Sequence, residues 1–139
     1  MLKDLYNKYK LIYSDYIILI KNGNFYLALN DDSIVLNNVF RFKITESKSF
    51  LKCGFPLKSI YKVLDMLDDL NINYLIVDRD IIDKKKYTIN NYLKYTTKNN
   101  YILLKKIESI NNILKLNIDN NNINNIINDI EGILCKIGY

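Results

Sequence analysis

Five consecutive residues, Gly23-Asn24-Phe25-Tyr26-Leu27, hold the chemistry most specific to this chain. An apolar run from Tyr16 to Ile20 leads into Lys21-Asn22-Gly23-Asn24, and an aromatic pair leaves that turn. An aromatic carried on a turn can enter a DNA base step as an apolar wedge, partly unstacking the bases and kinking the duplex. Phe25 is the candidate wedge, with Tyr26, Leu27 and Asn24 beside it. Lys21, Arg41, Lys43, Lys52 and the run Lys84, Lys85 and Lys86 are candidate phosphate contacts, the kind that supply sequence-independent affinity for DNA. Strand alternation puts Phe25 and Leu27 on one face and Tyr26 and Ala28 on the other. If Tyr26 faces a core, Phe25 and Leu27 face outward together, an odd solvent face unless it binds something.

Other chemistries have little to work with. The chain contains no histidine, which removes the commonest general acid–base and any Cys/His zinc site. Its two cysteines, Cys53 and Cys135, are far apart and read as small buried hydrophobes. No P-loop, dinucleotide-binding glycine pattern or nucleophile elbow occurs. A non-enzymatic protein without cofactor or metal is expected. The net charge of +5 favours polyanionic partners. An excess of Lys, Asn, Ile and Tyr with a single alanine, Ala28, is also what an AT-rich coding sequence supplies. No apolar run approaches the ~20 residues that cross a bilayer. The first six residues carry an acid and lack the apolar core of a signal peptide, so no membrane partner and a cytoplasmic location are expected.

The elements that must position the turn follow from periodicity. Leu2, Leu5, Tyr6, Tyr9 and Ile12 recur at helical spacing. Tyr16 to Lys21 reads as a buried strand, Asn22-Gly23 as a hairpin turn, and Phe25 to Leu29 as the partner strand. Asn30-Asp31-Asp32-Ser33 offers capping groups to a short helix through Val39. Phe40 to Ile44 alternates apolar and basic residues as a half-buried strand does. Ser49 to Pro56 reads as another strand, Lys58 to Leu70 as an amphipathic helix, and Tyr74 to Val77 as a short buried strand. Asp83 to Lys86 reads as a charged connector, and Tyr87 to Thr97 fits either a short helix or extended chain. Tyr101 to Leu116 and Ile123 to Ile137 repeat apolar residues at three- and four-residue steps around Asp119-Asn120-Asn121-Asn122, the pattern of a helical hairpin. The expected fold is therefore α+β: a small mixed β-sheet flanked by helices over residues 1–82, a basic connector over 83–100, and a C-terminal α-helical hairpin over 101–139. The hairpin's stripes can be buried on the sheet domain, on a second copy, or on another protein.

In order and spacing, residues 5 to 80 resemble the N-terminal mismatch-recognition domain, domain I, of the DNA mismatch repair protein MutS. That family has an apolar strand running into GDFYELF, an acidic helix start, MAGIPxHA, an amphipathic helix, and a strand ending in a CEQ-like sequence. The matching stretches here are Ile17 to Leu29, Asn30 to Ser33, Leu51 to Ser59, Tyr61 to Leu70 and Tyr74 to Arg79. The resemblance implies the fold and a role for double-stranded DNA as partner. In the family, the phenylalanine stacks on a mispaired base from the minor groove while the nearby glutamate hydrogen-bonds that base. Phe25 stands at the wedge position. Leu27 stands at the glutamate position, and it can neither donate nor accept a hydrogen bond. Asn24 replaces the family aspartate and Lys58 the histidine. What the resemblance implies is a DNA-binding module whose mismatch readout is lost or altered. Because the sequence stops before any connector, lever, clamp or ATPase domain, a stand-alone module without ATPase is expected. The alternative is a non-catalytic interaction or dimerisation module using Tyr101 to Tyr139.

Overall fold

The structure, a computed structural model, describes residues 1–138. Tyr139, the last residue of the expected hairpin, lies outside the described residues. Residues Met1–Tyr101 form one compact unit and Ile102–Tyr139 a second.

The first unit is built on a six-stranded mixed sheet. Helix α1 (Leu2–Ile12) precedes the hairpin β1 (Ile17–Asn22) and β2 (Phe25–Leu29), which feeds α2 (Asp31–Phe40). Strands β3 (Ile44–Glu46) and β4 (Leu51–Pro56) follow, then a 3-10 turn at Leu57–Ser59 and α3 (Ile60–Asp69). Strands β5 (Tyr74–Asp78) and β6 (Asp80–Lys85) complete the sheet in the order β3-β4-β2-β1-β5-β6. Only β1 and β5 run parallel; their connection carries α2 and α3, as a parallel crossover requires.

Both faces of the sheet are covered, and alternation decides what each receives. Ile17 and Leu19 of β1, Tyr26 and Ala28 of β2, and Cys53 and Phe55 of β4 point toward α2 and α3, where they meet Ile34, Leu36, Val63 and Leu67. Ile18, Ile20, Leu29, Leu75 and Val77 point the other way, against Tyr6 and Tyr9 of α1. With both faces buried, β1 and β5 read as continuous apolar runs.

A buried polar network closes one end of the sheet. Asp32, in the first turn of α2, is fully buried. Its Oδ2 accepts the Ile18 N–H at 2.9 Å, and its Oδ1 accepts from Lys10 Nζ at 2.8 Å and from the Tyr92 hydroxyl at 2.5 Å. Lys10 Nζ also donates to the Tyr16 carbonyl at 2.5 Å and lies 4.5 Å from the centre of the Tyr92 ring. Burial is the largest influence on the Asp32 carboxyl and raises its pKa, while Lys10, Tyr92 and the Ile18 N–H act in the opposite sense. Tyr6 and Tyr92 are pushed well above the usual phenol value by burial and by the Asp32 charge.

Two sequence expectations change here. Phe40 to Lys43 is not strand: α2 runs on to Phe40, Arg41 ends it in the left-handed region at φ 61, and pairing begins only at Ile44. The Phe40 and Phe42 rings stack at 5.0 Å, so the alternating aromatics serve packing instead of strand pleat. Asp83 to Lys85, read as the start of a connector, instead continue from Asp80 as the edge strand β6, antiparallel to β5 with a register shift at Ile76/Val77. All six residues of β6 are exposed, so no apolar alternation marks it. Beyond it, residues 86–91 carry no helix or strand, Tyr92–Tyr95 forms a 3-10 turn, and Tyr92 is buried in the core.

Helices α4 (Asn99–Leu116) and α5 (Ile123–Lys136) bury no residue. Leu114 and Ile123 line a shared crevice beside the turn that joins them. Cys53 is buried, with its thiol pushed up to about 12 by burial, whereas Cys135 is exposed, contrary to its reading as a buried hydrophobe.

Candidate nucleic-acid interface

The Gly23-Asn24 turn sits at the sheet end opposite the Asp32 network. Asn22 pairs with Phe25, leaving a two-residue loop in which only Gly23 has positive φ, at 61°. Glycine at the first loop position is what a type II′ hairpin requires, because an L side chain there is strained. The turn is tied sideways: the Leu57 N–H donates to the Asn24 carbonyl at 3.1 Å, and Phe25 pairs with Pro56.

Phe25 is 48% exposed. Leu27, two residues on, is half-buried and shares its face. That face is the α1 side, since Leu27 lies opposite Ile20 in register. Tyr26 points the other way into the core, 9% exposed, with its ring 5.7 Å from that of Phe55. Tyr26 is therefore a core residue, which corrects its reading as a DNA-contact candidate.

Gly54 stands opposite Leu27 in β4. A Cβ on Gly54 would lie 2.6 Å from Leu27 Cδ2 and 3.1 Å from the Tyr26 carbonyl oxygen. The leucine therefore lies flat over the glycine, and the two form one shallow apolar surface behind Phe25.

The parallel pairing of β1 with β5 decides which charges gather at this end. Both strands finish there, so Lys21 and Asn22 lie close to Asp78 and Arg79. Lys21 Nζ is 3.6 Å from an Asp78 carboxylate oxygen in an open, solvent-exposed pair. Arg79 is the single residue between β5 and β6, exposed and at φ 67. Helix α1 begins at the same end, and Met1, Leu2, Asp4, Leu5, Lys8, Ile20, Lys21, Asn22 and Arg79 line an open groove beside the hairpin. Lys58, exposed in the 3-10 turn after Pro56, flanks the hairpin on its other side.

Of the candidate contacts, Lys21, Asn24, Phe25 and Leu27 are together at this end. Lys52 shares the Phe25 face but stands opposite Leu29, four residues along β2, or ~13 Å at strand rise. Lys84 and Lys85 pair with Leu75 and Tyr74 at the far end of the sheet, with Lys84 Nζ over the Tyr13 ring. Phe25 and β6 are also separated by three strand spacings, ~14 Å. Lys86 follows them out of β6. Arg41 folds back on α2, its Nη1 donating to the Asn37 carbonyl at 3.4 Å, and Lys43 stands exposed before the edge strand β3. Sequence reading passed over Lys8 and Arg79. Arg79 is found by noticing that two parallel buried strands finish together; nothing local to Lys8 points to it. Among the described residues no cluster of potential metal ligands occurs, and no helix is long and apolar enough to cross a membrane.

The family model for MutS domain I matches residues 2–100 of the chain. No curated protein matches it.

Proposed function

Because the chain belongs to the MutS domain I family, we propose that it binds double-stranded DNA through the hairpin end of its sheet, with Phe25 as an apolar wedge at a deformable base step and without a base-reading carboxylate. The observation that carries this reading is the half-exposed Phe25 ring on a turn held from both sides, sharing its face with Leu27 and standing among Lys21, Lys58 and Arg79. A rigid turn presents the aromatic at little ordering cost, and unstacking a base step costs least where pairing is already faulty. Leu27 adds apolar contact where the family has glutamate. The preference expected is for kinkable or bulged sites, with weak discrimination among base identities.

The test is fluorescence polarisation with matched, mismatched and bulged duplexes at several salt concentrations. Binding is expected at ~50 mM salt, where phosphate contacts are strong. Phe25→Ala should leave affinity for matched duplex within about twofold and abolish the preference for bulged sites, as removal of a wedge does. No binding by the wild-type chain at low salt would overturn the reading.

A second reading is favoured by α4 and α5. Leu103, Ile107, Ile110 and Ile133 are each more than half exposed, and no residue of either helix is buried. In this reading the second unit is a non-catalytic association module, and the sheet is its scaffold.

A further inference from the structure

We infer that the groove between the start of α1 and the end of β1 seats the DNA strand flanking the Phe25 contact, an inference that rests on the DNA-binding reading of the hairpin. Its position is the first argument. Asn22 is both the cross-strand partner of Phe25 and one of the residues lining the groove. The two side chains share the α1 face, so a backbone passing Phe25 continues directly into the groove.

Its composition is the second argument. The floor is Leu2, Leu5 and Ile20, and the charged rim is Lys8, Lys21 and Arg79 against the single acid Asp4. A strand of DNA presents apolar sugar edges and phosphates spaced along it, which suits an apolar floor under a rim of cations better than a neutral ligand would. The Lys21–Asp78 pair does not forbid this role. At 3.6 Å and about 40% exposure on both sides it is weak, so a phosphate can take the lysine at little cost. Arg79 is held in the left-handed region on a one-residue connection, a conformation uncommon for arginine. This fixes its backbone at the rim and leaves only the side chain to order on binding.

The inference separates these cations from those of the opposite sheet end. Lys8, Lys21 and Arg79 act on every duplex alike, because phosphates carry no sequence, whereas Phe25 acts on site preference. The test uses the full chain, a labelled bulged duplex and its matched counterpart, and a salt titration. A Lys8→Ala/Arg79→Asn variant changes two exposed side chains, and asparagine tolerates the left-handed backbone; an unchanged melting midpoint confirms that it folds. We expect its log affinity to depend less steeply on log salt by ~1.8, about 0.9 for each phosphate that is no longer neutralised. Affinity at low salt should fall for both duplexes by a similar factor, and the bulge preference should be retained. Lys84→Ala/Lys85→Ala should leave the slope unchanged. A wild-type chain that binds no duplex defeats the DNA reading itself. A wild-type chain that binds, with an unchanged slope in Lys8→Ala/Arg79→Asn, overturns the groove alone.

Discussion

By its resemblance to the family, Leu27 takes the place of a glutamate, and its contact with Gly54 explains how an apolar group settles there. Gly54 has no Cβ, so the leucine drops onto the backbone of β4 and loses part of its exposure. A glutamate at the same position would keep its stem on the glycine and carry its carboxylate toward the Phe25 face, because that face is open at the hairpin end. Leu27→Glu is therefore expected to raise the affinity ratio of mismatched over matched duplex by about tenfold, on the order of one hydrogen bond to a charged group. Polarisation with the two duplexes measures the ratio, and an unchanged ratio means that this position does not face the base. Tyr26 illustrates the opposite lesson at the same scale. Its type suits DNA stacking as well as Phe25 does, and only the pleat sends it to the core. That outcome was legible as a conditional: one aromatic in, one aromatic and a leucine out.

At the scale of elements, the sheet has a locked end and an open end. Lys10 of α1, Asp32 of α2, the start of β1 and Tyr92 of the last 3-10 turn meet in one buried network. Asp32 makes no contact with water and depends on these partners. Lys10→Met leaves its carboxylate without a counter-charge and should cost about 3 kcal/mol, within the range for breaking a buried pair. Urea denaturation measures it. The sign of the pH dependence follows from Asp32. Burial already raises its pKa, and loss of the ammonium raises it further, so the native variant favours the protonated acid more than the unfolded chain does. The deficit is therefore largest near neutral pH and shrinks as pH falls toward and through the raised pKa, where a neutral carboxyl needs no ammonium. A deficit independent of pH would show that lost lysine packing, not charge, is responsible. Tyr92 joins this network from a stretch whose sequence fits helix and extended chain equally, so its part in the core could not be read from local pattern. The edge strand β6 escaped for a related reason: with all six residues exposed, its pairing to β5 is written in backbone hydrogen bonds that no side-chain period reports.

For the whole molecule, the two compact units pose different questions. The first has a core on both faces of its sheet, and its geometry gathers Phe25, Lys21 and Arg79 at the hairpin end. The second holds α4 from Ile102 onward and all of α5, and no residue of these amphipathic helices is fully buried. Isolated helices of this length are marginal in water, and most helical stability in proteins comes from packing an apolar face. If the second unit is an association module, light scattering should return a mass above that of the 16.4 kDa chain, and Ile107→Asp should restore the single-chain mass. A single-chain mass for the wild type at high concentration would remove self-association. The sequence by itself determined most of the elements, because helix and strand periods are local, and it determined the family likeness, because the turn and its glycine-centred companions arrive in order. It also determined that Leu27 cannot hydrogen-bond a base, since that is a property of the side chain alone. Only the tertiary structure decided which cations accompany Phe25. Strand direction and register carry Arg79 to the hairpin end and Lys84 and Lys85 to the other, α1 brings Lys8 to the groove beside β1, and such through-space placement leaves no trace in residue spacing.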